Sequence, residues 1–240
     1  MTLPVAILGA RGRMGSAVAR LAADHDATVV ASIDAGHGDL GALGASGARV
    51  LIDFSSPAVV ADAARACTLA GVAIVSGTTG HDEAAKRALD AAARAVPVLW
   101  EPNMSVGVLV LSELLRHGLA MLGPGFDVEI VEAHHRMKVD APSGTALRLA
   151  DVAREARSGP LVHGRSGRGA KRTQGEVGMH AVRGGDVVGD HVVHLLGDGE
   201  RIELVHRASN RDVFAHGALR AASWIAGKPA GRYALRDVVG

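Results

Sequence analysis

His134-His135-Arg136-Met137-Lys138 sets two imidazoles and two fixed cations within one short stretch. Crowding of this kind costs Coulomb energy unless an anion is held among the groups. A few residues on, Ser143-Gly144-Thr145 offers hydroxyls and backbone N–H groups at a helix start, a ready carboxylate site. A histidine beside it can serve as a general acid. Each piece also has a plainer reading: solvated loop histidines, a metal-ligand pair, or a serine that only caps a helix. No His-x-x-x-His pattern accompanies the pair and the single cysteine, Cys67, is distant, so no metal is expected. Taken together, the pieces favour a small acidic substrate.

A second cluster lies near the N-terminus. Gly9-Ala10-Arg11-Gly12-Arg13-Met14-Gly15 follows the apolar run Val5–Leu8 and opens a helical pattern. Glycines at such places allow a sharp turn, close approach of backbone to a pyrophosphate, and packing of helix on strand. The helix N-terminus adds N–H groups and a positive dipole end. The spacing is G-x-x-G-x-x-G, a weak signal alone; Asp34, at the end of the second apolar run, strengthens it by offering an acceptor for ribose hydroxyls. Ala35-Gly36 provide no arginine there for a 2′-phosphate, which favours NADH over NADPH, although Arg11 or Arg13 could reach one. Gly77-Thr78-Thr79-Gly80 and Pro102-Asn103-Met104 follow later runs, where this architecture binds ligands or simply turns.

The elements that must position these groups follow from periodicity. Val5–Leu8, Thr28–Ile33, Val50–Phe54, Val72–Val75 and Val96–Trp100 are short apolar runs expected to be buried strands. Helices are expected over Arg13–Ala23, after the cap-like Ser55-Ser56-Pro57, and over Asp82–Arg94. This alternation predicts a doubly wound parallel sheet, an α/β fold of Rossmann type. Past Trp100 the rhythm changes to a helix near Ser105–Leu122, a strand over Phe126–Ala133 and a helix over Gly144–Arg157. Ser158–Lys171 reads as a mobile loop. Gly178–Arg183, Val187–Leu196 and Arg201–His206 read as three antiparallel strands, and Asp212–Ala226 as a helix returning to the first domain. The expected domains are 1–104 with 211–240, and 105–210, the second a smaller α+β unit with a mixed or antiparallel sheet. Hinges are expected at Pro102–Ser105 and Ser209–Asp212.

Composition narrows the function classes. The 26 basic against 25 acidic residues give no electrostatic case for nucleic acid or an anionic membrane, and only 2% aromatics leave little for base stacking. No uninterrupted apolar run reaches the ~18 residues of a membrane span, and no basic leader opens the chain, so a cytoplasmic protein is expected. Cys67 sits in helix-like sequence and is expected to be buried and inert.

The stretch E-A-H-H-R-M-K-V-D-A-P-S-G-T-A over Glu132–Ala146 resembles the signature of the 4-hydroxy-tetrahydrodipicolinate reductases. The same order holds for G-A-x-G-R-M-G at Gly9–Gly15, D-F-S at Asp53–Ser55, G-T-T-G at Gly77–Gly80 and P-N-M-S-V-G at Pro102–Gly107. It continues in H-A-V-R-G-G-D-V-V-G-D-H at His180–His191 and F-A-x-G-A-L at Phe214–Leu219. The resemblance implies reduction of a cyclic pyridine dicarboxylate by hydride from the nicotinamide C4, in diaminopimelate and lysine synthesis. It implies His134 as proton donor, Lys138 as second catalytic residue, and His135, Lys138, Ser143, Gly144 and Thr145 as carboxylate ligands. Its cofactor positions map to Gly9, Ala10, Arg11, Gly12, Arg13, Met14, Gly15, Asp34, Phe54, Gly77, Thr78, Thr79, Pro102, Asn103 and Met104. A homotetramer assembled through the second-domain sheet is implied as well. The region between Asp34 and Val50 is shorter than in such relatives. The rival readings are another amino-acid dehydrogenase, of the aspartate type, or a nicotinamide-binding protein without catalysis; a proton donor and a lysine beside the nicotinamide argue against the last.

Overall fold

The fold, described for residues 2–240 by a computed structural model, divides into two units, 2–106 with 211–240 and 107–210. In the first, β1 (Leu3–Leu8), β2 (Ala27–Ile33), β3 (Val50–Asp53), β4 (Ala73–Ser76), β5 (Pro97–Trp100) and β11 (Gly231–Tyr233) form one parallel sheet. The order is β11-β5-β4-β3-β1-β2. β3 and β4 are buried along their whole length because helices cover both faces, which is why each reads as an unbroken apolar run. Helices α2 (Val60–Ala70) and α3 (Glu83–Ala92) pack on one face, and α1 (Arg13–Leu21) meets α6 (Asp212–Ile225) on the other. The strand order reverses between β1 and β3, so their C-terminal ends frame a crevice.

The second unit holds α4 (Val106–Leu122), β6 (Asp127–His134), α5 (Gly144–Glu155), β7 (Leu161–His163), β8 (Val177–Arg183), β9 (Gly189–Gly197) and β10 (Glu200–Ala208). Its mixed sheet runs β10-β9-β6-β8-β7. Leu111, Leu115 and Leu119 of α4 and Leu149 and Val152 of α5 pack on Val128, Ile130, Val177, Met179, Val193 and Leu195 of the sheet. A fully buried leucine of this kind contributes about 1.5–3 kcal/mol relative to exposure.

Three expectations change, and two short elements are added. β8 lies parallel to β6, which separates it from β9, so the three later strands do not form an antiparallel meander. The segment between β8 and β9 therefore joins two strands that β6 separates. The Ser158–Lys171 loop contains strand β7, parallel to β8. The short edge strand β11 and the closing helix α7 (Leu235–Val239) carried too few residues to show a period. Finally, Val106–Gly125 is long and apolar enough to cross a membrane by length and composition, despite Glu113 and Arg116. Leu111, Leu115 and Leu119 pack in the core of the second unit, while Val110, Leu114 and Met121 are exposed. Cys67 is buried, and burial pushes its thiol pKa up, which leaves little thiolate.

Candidate active site

The glycine loop follows β1 at the crevice. Gly9 has a φ of 79°, and a Cβ there would lie 2.5 Å from the Phe54 carbonyl oxygen. A Cβ on Gly15 would lie 2.2 Å from the Gly9 carbonyl oxygen, so only glycine lets α1 start against the loop. Gly12 sits at the N-cap of α1 with no side-chain cap, which leaves the first turn's N–H groups to an incoming anion. Arg11 and Arg13 are exposed, Ala10 and Met14 half-buried. Asp34 Oδ2 accepts the Arg11 N–H at 2.7 Å and Oδ1 the Ala35 N–H at 2.8 Å. Those hydrogen bonds, Arg11's first, hold its carboxyl below the ordinary carboxylate value. The glycine loop and the acidic residue are thus joined by a hydrogen bond.

The neighbouring loops are braced by Asp53, which sequence reasoning had only as part of D-F-S. Its carboxylate accepts Ser55 N–H at 3.0 Å and Ser76 Oγ at 2.6 Å, while Thr78 Oγ1 accepts Ser55 N–H at 3.0 Å. A Cβ on Gly77 would meet the Phe54 ring at 2.2 Å, so glycine there lets the ring lie across the chain. Thr78 is buried and Thr79 exposed. In the Pro102–Met104 turn, Asn103 Oδ1 accepts Ser105 N–H at 2.9 Å and Met104 is buried. Gly217 of α6 admits the Met104 carbonyl, which a Cβ would approach to 1.7 Å.

In the second unit, alternation along β6 places Val128, Ile130, Glu132 and His134 on the core face. That face is apolar until its C-terminal end, where it turns polar. Glu132 Oε2 accepts His134 Nδ1–H at 2.6 Å, and Oε1 accepts the Ser143 N–H at 3.0 Å. Arg183, opposite His134 in the β6–β8 register, donates to both Glu132 oxygens at 2.8 Å. Burial disfavours the Glu132 anion, but the hydrogen bonds from Arg183 and then His134 outweigh it and hold its carboxyl below the ordinary value. Lys138 Nζ is 2.8 Å from Asp140 Oδ1. The His135–Lys138 turn is tied down by His135 N–H donating to the Val187 carbonyl at 2.7 Å.

Ser143 caps α5: its Oγ accepts the Ala146 N–H at 3.2 Å and lies 3.2 Å from His191 Nε2. His191 Nδ1 has no hydrogen-bond partner among the described residues. The neutral ring therefore spends its one N–H best at Nε2, donating to Ser143. With two bonds accepted, the Ser143 hydroxyl keeps its own proton for an anion.

Burial, then repulsion from His134 and His206, pushes the His191 pKa from its ordinary 6.5 down to about 4. Because the folded value is the lower one, the unfolded chain takes the proton first. Stability is full above about 6.5 and is lost as pH falls toward 4. Thermal melts should show His191 costing about 2 kcal/mol between pH 7.5 and pH 5. In His191→Gln that pH sensitivity should shrink; an unchanged difference would refute the assignment.

The predicted substrate residues His134, His135, Lys138, Ser143, Gly144 and Thr145 thus gather where β6 ends and α5 begins, within one unit. Glu132, Arg183 and His191, not singled out from sequence, complete the cluster; they were visible only as letters inside two longer motifs.

A parallel sheet with a switch-point cradle, joined in one chain to a second unit carrying a buried imidazole at a helix start, is the architecture of two-domain nicotinamide-dependent oxidoreductases. The chain belongs to the dihydrodipicolinate reductase family: its N-terminal profile matches residues 3–104 and its C-terminal profile residues 107–239. The 4-hydroxy-tetrahydrodipicolinate reductase of Myxococcus xanthus is 45% identical, covering 98% of this chain and 96% of its own. That of Thiobacillus denitrificans is 44% identical over 100% and 99%. The fold is shared with a dipicolinate-bound dihydrodipicolinate reductase from Paenisporosarcina sp. TG-14, at TM-score 0.77, 24% identity and 98% coverage of both chains. A probable dehydrogenase from Thermotoga maritima has the same fold more distantly, at TM-score 0.62, 13% identity, and 98% and 92% coverage.

Proposed function

We propose that the protein reduces 4-hydroxy-tetrahydrodipicolinate, with loss of water, to tetrahydrodipicolinate in diaminopimelate and lysine synthesis. The observation that carries this reading is the β6–α5 junction, where one buried glutamate joins His134 to the helix start at Ser143. The dinucleotide fits the cradle of Gly9–Gly15, with Asp34, Phe54, Gly77–Thr79 and Pro102–Met104 around it; once bound, its dihydronicotinamide supplies the hydride. His134 supplies the proton. Lys138, His135, Ser143, Gly144 and Thr145 hold the substrate carboxylates, and substrate displaces Asp140 from Lys138. The outer face of the second sheet, where Val182 and Val205 are 51% and 42% exposed, supports the homotetramer.

The test supplies the purified protein with freshly made product of aspartate semialdehyde and pyruvate condensation and follows NADH consumption. NADH binding without consumption would sink the reading. The same assay should give a higher kcat/KM with NADH than NADPH, because Asp34 would face a 2′-phosphate with no arginine at Ala35 or Gly36 to balance it. A strong NADPH preference would overturn that part. Light scattering of the same sample should return four times the chain mass, and a monomer would remove the assembly.

A further inference from the structure

Glu132 is fully buried, on a face whose preceding members are Val128 and Ile130. An ionised carboxylate in such a place is expensive unless every lone pair is used. Here both oxygens are: Arg183 reaches the two of them, His134 takes one and the Ser143 N–H the other. The counter-charge is itself anchored, since Arg183 also donates to the carbonyls of Val182 at 2.7 Å and Asp140 at 2.6 Å.

We propose that Glu132 is the positioning residue of this site: one carboxylate sets the tautomer of His134 and the placement of Ser143, with Arg183 as its fixed counter-ion. This rests on the reading of His134 as proton donor. An ionised carboxylate only accepts, so its partner Nδ1 must carry a hydrogen. The nitrogen that gains and loses a proton is then Nε2. Space is kept at that atom, because a Cβ on Gly189 would stand 3.0 Å from it. The other oxygen draws the Ser143 N–H inward, which fixes the residue whose hydroxyl meets the substrate. Donor and anion clamp are thereby held to one rigid group, the arrangement that gives a proton transfer its geometry. Lys138, by contrast, is held by exposed Asp140 and is free to exchange it for substrate.

The experiment uses the full chain and two variants, Glu132→Gln and the charge-neutral double change Glu132→Gln with Arg183→Met. The double variant removes both charges of the Glu132–Arg183 pair, so a folded protein is available if the single change unfolds. Two-bond 15N correlation spectra, with His134→Gln as the assignment control, read the imidazole tautomer, and turnover is measured on the same samples. Wild type should show Nδ1–H. The folded variants should show mixed tautomers, a kcat lower by about 100-fold, and a raised KM. Retention of the Nδ1–H tautomer in a folded variant overturns the proposal, whether or not kcat falls, since any loss would then be structural. Unchanged kcat with a changed tautomer also overturns it. A wild type that never turns over the substrate, yet loses the tautomer on mutation, would refute the function and leave the orientation by Glu132 standing.

Discussion

His134→Gln should lower kcat by about 10²–10⁴-fold while NADH binding stays within about twofold of wild type. The substitution is chosen because it separates chemistry from folding. A glutamine amide can still donate to Glu132 Oε2, so the buried carboxylate and the bidentate Arg183 keep their partners. What disappears is the imidazole Nε2, which a Cβ on Gly189 would approach to 3.0 Å. The glycine cradle belongs to the other unit of the chain, so the change leaves the residues of the cradle unaltered. Stopped assays for kcat and fluorescence titration with NADH are the two readouts. A kcat within tenfold of wild type would mean that the proton comes from elsewhere.

Gly15→Ala should do the converse. The added methyl would stand 2.2 Å from the Gly9 carbonyl oxygen and 2.7 Å from Ala10 Cα, both backbone atoms that cannot swing away. Either α1 shifts off the loop or the loop opens, at about 1–3 kcal/mol for overpacking a fitted contact. If the loss falls on the cradle, the NADH dissociation constant rises by about 5–150-fold. The tautomer of His134, in the second unit, should be unchanged. The checks are NADH titration and an imidazole spectrum on one sample. Undiminished NADH affinity would show that the cradle is not where the dinucleotide binds.

Most of the first unit was legible because its information is local. An unbroken apolar run such as Val50–Ile52 means a strand covered on both faces, and glycine spacing marks a strand-to-helix turn wherever it falls. The second unit was less so. The run Val177–Arg183 announces a strand but not its neighbour, and β6 takes the place where a hairpin partner was expected. Nothing local encodes that choice, which pairs strands far apart in the chain. Strand β11, only three residues beside β5, is too short to show a period of its own.

The residue types of the site were settled by the sequence alone: a histidine pair, a lysine, a capping serine and a glycine loop, each with a small set of possible partners. Which partner each one takes was decided only by the tertiary structure. Glu132 sits two places before His134, and the pleat of β6 points both to one side. Arg183, far along the chain, becomes the counter-charge because β8 aligns beside β6 in register. His191 becomes a neutral donor to Ser143 because β9 buries it on the other flank. Hydrogen bonds and desolvation act over a few ångströms, and only folding brings distant residues that close.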